Sequence, residues 1–162
     1  MKIYESIVSE TLLSHFPDVR GQTLMNHVAN SYGIEETLAI TSILWPTVVE
    51  DEGHFFIAEF YHEGLHRLKD QFQHEKQRIE RWVNAWSLRD FFFRYQHHRA
   101  GESVLPSALD DPALLQAFGE VLRFFWTLRL HMLFPDREFV VEVGENIEGE
   151  NGLSITFYEK QI

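Results

Sequence analysis

From Asp111 to Pro135 the chain can be little other than one long helix, and that constrains the rest of the fold. Asp110-Asp111-Pro112 sets a capping carboxylate ahead of a proline at the first helical position. Leu114, Leu115, Phe118, Val121, Leu122, Phe125, Leu128 and Met132 then recur at helical spacing until Pro135 stops the run. The apolar arc is wide, which predicts a helix central to the core.

On either side of this helical half the period changes to that of strands. Trp45–Val49 and His54–Tyr61 read as a hairpin turning at Glu50-Asp51-Glu52-Gly53. Glu138–Val143 and Leu153–Tyr158 read as a second, with Phe139, Val141 and Val143 on one face and Leu153, Ile155 and Phe157 matching them. A flexible acidic loop is expected between its strands. Ahead of the first hairpin, Tyr4, Ile7, Val8 and Leu12 mark one short helix, Leu24, Met25 and Val28 a second, and Glu35–Ala39 open a third.

The strongest helical period runs from Leu65 to Trp86, with Leu68, Phe72, Ile79 and Val83 on one side and Arg67, Asp70, His74, Arg78 and Arg81 elsewhere. Ser87 followed by Asp90 resembles a capping box, so a kink or a new helix running to about His98 is expected there. Residues 100–109, with Gly101 and Pro106, are expected to form a loop.

The order is therefore ααα-ββ-αα(kinked)-α-ββ: an α+β fold, an antiparallel sheet from two β-hairpins packed against several α-helices, in one domain over residues 1–162. The 162 residues contain no cysteine, which excludes a disulfide framework, thiol chemistry and cysteine-ligated zinc. No run of apolar residues is long enough to span a bilayer, and MKIYESIVSETLLSHF has glutamates where a signal peptide needs an apolar core. A cytoplasmic location is expected.

Three constellations could carry chemistry. His62-Glu63-Gly64-Leu65-His66 matches HExxH and resembles the signature of zinc metallopeptidases, which implies zinc on His62 and His66 with Glu63 as the base. Placed on a helix, however, both histidines begin a polar stripe continued by Asp70, His74 and Arg78, so solvation explains them without a metal.

Thr23-Leu24, Val28-Ala29, Tyr32-Gly33-Ile34 and Thr37-Leu38 resemble a helix-turn-helix, which implies a winged-helix domain with the first hairpin as its wing. The would-be recognition helix begins Glu35-Glu36 and has no Arg, Lys, Gln or Asn over residues 34–44, so protein contact is expected rather than DNA contact.

Arg78, Arg81, Arg89, Arg94, His97, His98 and Arg99, interleaved with Phe91, Phe92, Phe93 and Tyr95, would suit single-stranded nucleic acid. Internal pairing of these arginines with carboxylates is the simpler expectation, because the net charge is −11.

Charge is unevenly spread: residues 1–66 sum to −8 and residues 67–99 to +4. The expected function is therefore non-enzymatic protein–protein interaction, of the immunity, inhibitor, chaperone or accessory-subunit type, with no cofactor. The expected partner is a protein with a basic surface, homo-oligomerisation being compatible with the reading. The candidate binding residues are the carboxylates of the two hairpin tips, Glu50, Asp51 and Glu52 with Glu145, Glu148 and Glu150.

Overall fold

The computed structural model describes residues 2–62, 64–92 and 108–161. Five α-helices are described: α1 Leu24–Ser31, α2 Ile34–Leu44, α3 Leu65–Gln71, α4 Lys76–Val83 and α5 Pro112–Leu133. Five strands accompany them: β1 Val48–Asp51, β2 His54–Ile57, β3 Trp86–Ser87, β4 Phe139–Glu145 and β5 Leu153–Glu159. The α+β class holds, with antiparallel pairing throughout.

α5 begins as its sequence dictates. The Asp111 side chain accepts from the Ala113 amide at 2.8 Å and Pro112 opens the first turn. Leu115, Leu122, Trp126 and Leu130 form its buried stripe, each contributing roughly 1.5–3 kcal/mol by leaving water. Gly119 lies on that stripe where α5 crosses the second hairpin; an added Cβ would stand 2.9 Å from Val143 Cγ1 and 3.0 Å from Leu88 Cδ1. Gly119→Ala is therefore expected to cost about 1–3 kcal/mol by overpacking, despite alanine's better helix propensity. Chemical denaturation would measure this.

α5 lies against the main core as its arc predicts, but one side of that wide arc meets solvent. Phe124, Leu128 and Met132, four residues apart along its outer side, are exposed to solvent.

The first hairpin turns at Glu52-Gly53, with φ of 45° and 77°, the positive-φ pair of a two-residue primed turn. β2 is buried on both faces. Phe55 and Ile57 join the main core against α5, while Phe56 packs with Leu65, Leu68, Phe72, Ile79 and Val83 beneath α3 and α4. A strand covered on both sides reads as an unbroken apolar run, as Phe55-Phe56-Ile57 does. The hairpin is thus part of the core and no free wing.

Several expected elements are corrected. The first N-terminal helix is only a 3₁₀ turn, Glu10–His15; Ile3, Tyr4 and Ile7 stand exposed, so no buried apolar face supports a longer helix there. The long helix from Leu65 is two helices, separated where Gln73 and His74 take φ of 54° and 63°. The apolar period carries across that break because residues from both pieces line one cluster.

Trp86-Ser87 is a strand paired with Ile155 and Ser154, not a helical kink. The Ser87 hydroxyl donates to the Asn151 carbonyl at 2.9 Å. Leu88–Phe92 is a 3₁₀ turn; the expected helix beyond Phe92 and most of the 100–109 loop lie outside the described residues. The acidic loop of the second hairpin is folded rather than flexible, with a short 3₁₀ turn at Ile147–Gly149 and Ile147 buried.

The two hairpins also belong to two sheets, β1-β2 and β3-β5-β4. Two polar side chains of α4 and its cap stand between the facing edges of β2 and β5. Glu80 accepts from the Phe55 amide (3.0 Å) and the Glu159 amide (2.7 Å). Asn84 accepts from the Ile57 amide (2.9 Å) and donates to the Phe55 and Phe157 carbonyls (2.9 and 3.1 Å). Both side chains are fully buried. β3 is too short to reach this part of β5, so one turn of helix (i and i+4) satisfies backbone groups that a neighbouring strand would otherwise pair.

Candidate functional site

The HExxH residues are not brought together as the helical reading required. α3 begins only at Leu65, and its N-cap Gly64 is extended (φ −67°, ψ 138°), so His62 precedes the helix and shares no helical face with His66. The His66 side chain is 92% exposed, with Nε2 at 3.7 Å from Asp70. Glu63 lies outside the described residues. Among the described residues no three His, Asp or Glu are placed to hold a metal ion.

The three arginines of the basic stretch among the described residues, Arg78, Arg81 and Arg89, are paired inside the molecule. Arg81 forks onto both oxygens of Glu142 (3.1 and 3.2 Å) and also bonds Glu148, and these carboxylates raise its guanidinium above its ordinary pKa. Arg78 reaches Glu75 at 3.5 Å and stacks over Phe72, while Arg89 holds Asp110 at 3.1 Å. Phe91 and Phe92 pack on Phe118 of α5. Phe93, Arg94, Tyr95, His97, His98 and Arg99 lie outside the described residues.

The six hairpin carboxylates divide into two groups. Asp51 accepts the Tyr61 hydroxyl at 2.6 Å, and burial together with that carboxylate pushes the phenol up to about 12. Glu52 pairs with Lys69 at 2.5 Å and Glu148 with Arg81. Glu150 is half-buried, and burial raises its carboxyl above the usual range. Glu50 and Glu145 stand in solvent. Half of the proposed binding charge is thus committed to internal partners.

What charge counting passes over is the N-terminal helical arm, residues 2–44. His27 is its only buried residue. Its Nδ1 accepts from the Arg20 amide at 3.1 Å and its ring meets Phe16 and Tyr32 edge-on. Around this small knot the apolar side chains face outward, among them Tyr4, Met25 (81% exposed), Ile34 and Leu38 (61%).

α1 is well made locally. Thr23 Oγ1 accepts from the Asn26 amide at 3.1 Å, and only Tyr32 and Gly33 separate α1 from α2. α2 carries eleven residues, Ile-Glu-Glu-Thr-Leu-Ala-Ile-Thr-Ser-Ile-Leu, and buries none of them fully.

The arm is nonetheless held at fixed points. The Trp126 indole donates to the Ile43 carbonyl at 2.9 Å, and Arg129 stacks over Trp45 just beyond α2. His15 Nδ1 lies 2.7 Å from the Asp111 carboxylate, which keeps Asp111 below its ordinary pKa, and Glu10 accepts from the Leu24 amide at 2.7 Å. The arm thus presents apolar surface from an anchored position, and Phe124, Leu128 and Met132 of α5 also face outward.

A legible signal existed in α2. Its apolar residues lie all round the helix, and such a helix needs cover on more than one side. No described helix is long and apolar enough to cross a membrane. Comparison with protein-family models, curated proteins and solved structures finds no match for this chain.

Proposed function

We propose that this chain is a non-enzymatic protein-binding module that docks its partner through the N-terminal arm and the outer stripe of α5. The observation that carries the reading is that residues 2–44 fold into two anchored helices yet fully bury a single side chain. Helices form in proteins chiefly because an apolar face is covered. Contiguous exposed apolar surface on a folded domain marks an interaction site. The immunity, inhibitor, chaperone and accessory-subunit roles all fall within this class.

The test rests on a contrast between stability and binding. Met25→Glu combined with Leu38→Glu is expected to change unfolding free energy by no more than about 0.5 kcal/mol per site, since both side chains already stand in water. The same double variant is expected to lose a stoichiometric partner retained by the native protein on purification from its host. Glu50→Lys with Glu145→Lys, at the hairpin tips, is expected to keep it. Retention by the arm variant and loss by the tip variant would overturn the proposal.

A further inference from the structure

Resting on that docking reading, we infer that the occupant of the arm is a cationic amphipathic helix supplied by a different protein. The argument is one of charge around an apolar face. Within residues 2–44 five carboxylates, Glu5, Glu10, Asp18, Glu35 and Glu36, accompany two basic side chains, Lys2 and Arg20. Arg20 is already engaged by Asp18 at 3.0 Å, and Lys2 sits over the Tyr4 ring. Glu35 and Glu36 stand exposed in the first turn of α2, next to the exposed Ile34 and Leu38. The last turns of α1 and α2 carry no basic residue.

A ligand for such a surface offers apolar side chains at helical spacing, to pack against the exposed residues of α1 and α2, and lysines or arginines on its flanks. Complementary charge at the rim steers the encounter and fixes orientation, while the apolar centre holds the complex. A second copy of this chain fits less well, because each copy carries −11 and would bring the same acidic turn against its like. An anionic lipid surface is disfavoured on the same ground.

The experiment uses the full-length protein and two labelled synthetic helices of roughly 18 residues, about 27 Å long. Both carry leucine at heptad a and d positions; one has lysine elsewhere and the other glutamate. Fluorescence anisotropy is expected to show the lysine peptide binding at least about tenfold more tightly, with the difference shrinking as salt rises. Met25→Glu with Leu38→Glu is expected to weaken it about tenfold or more. Glu35→Lys with Glu36→Lys, which leaves the apolar residues in place, is expected to reverse the preference.

Equal binding of both peptides, or a preference that survives the charge reversal, would overturn the inference about charge while leaving the docking reading standing. A native chain that sediments as a dimer dissociated by Leu38→Glu would assign the face to a second copy and overturn it likewise. Binding to phosphatidylcholine vesicles abolished by the same substitution would assign it to lipid.

Discussion

Asn84→Asp is expected to lower the unfolding free energy by about 4 kcal/mol, a large share of the 5–15 kcal/mol typical of a domain. In the native protein one carboxamide serves three backbone groups of two strands, accepting from Ile57 and donating to Phe55 and Phe157. Aspartate keeps the acceptor but has no donor when ionised. Both carbonyls are then left without a hydrogen bond, facing a negative charge in a site closed to water.

For a chain of this length the loss corresponds to a fall in melting temperature of roughly 10 °C. Thermal and urea denaturation would measure it. Acidification is expected to restore part of the stability, because a protonated carboxyl regains one donor. A loss below about 1 kcal/mol would show that the side-chain bridge between the hairpins contributes little.

Glu80 gives the second large effect, and here the sign depends on pH. Burial pushes its carboxyl up to about 7; the amides of Glu159 and Phe55 and the Lys76 ammonium at 3.7 Å oppose the shift, and the Glu159 carboxylate adds to it. A carboxyl that holds its proton more tightly when folded stabilises the fold fully below its ordinary value of 4.5. That contribution falls as pH rises to about 7 and is then constant. The span amounts to ~3 kcal/mol.

Glu159 titrates in the opposite sense. Burial raises its carboxyl, but Lys76 and Arg137 together hold it below the usual range, so its own contribution is lost on acidification. Glu80→Gln separates the two, because glutamine does not titrate. At pH below 4.5 the variant is expected to be less stable than the native protein by about 1–3 kcal/mol, since its NH₂ meets one of two backbone N–H groups. Between pH 4.5 and 7.5 that deficit is expected to shrink by about 3 kcal/mol. Urea denaturation of both proteins across this range would test it, and a difference that stays flat or grows with pH would contradict the burial argument.

Glu80 also shows how local pattern misleads. Glu80 lies one residue from Arg81 and five from Glu75, so by local pattern it reads as a solvated helix charge. In the fold it faces β2 and β5, whose partner groups lie 25 and 79 positions away along the chain. Arg81, its neighbour, pairs with Glu142 of β4 and Glu148 of the loop that joins β4 to β5. The acidic tips therefore looked like free binding charge, since a count of charges does not register which cation folds back onto them. The arm was more legible than it first seemed. The apolar residues spread round α2 marked a helix needing cover, but only the exposure of Met25, Ile34 and Leu38 showed that the described parts of the chain leave them bare.

What the sequence alone determined was local. The carboxylate and proline that start α5, the glycine-containing turn of the first hairpin and the alternation in β5 each depend on residues a few positions apart. Tertiary structure decided that Trp86-Ser87 joins a sheet, that Glu80 and Asn84 take the place of a strand, and that the far side of α5 meets solvent. The reason is physical. Period and capping arise between neighbours in the chain, whereas burial depends on what distant segments bring against each face.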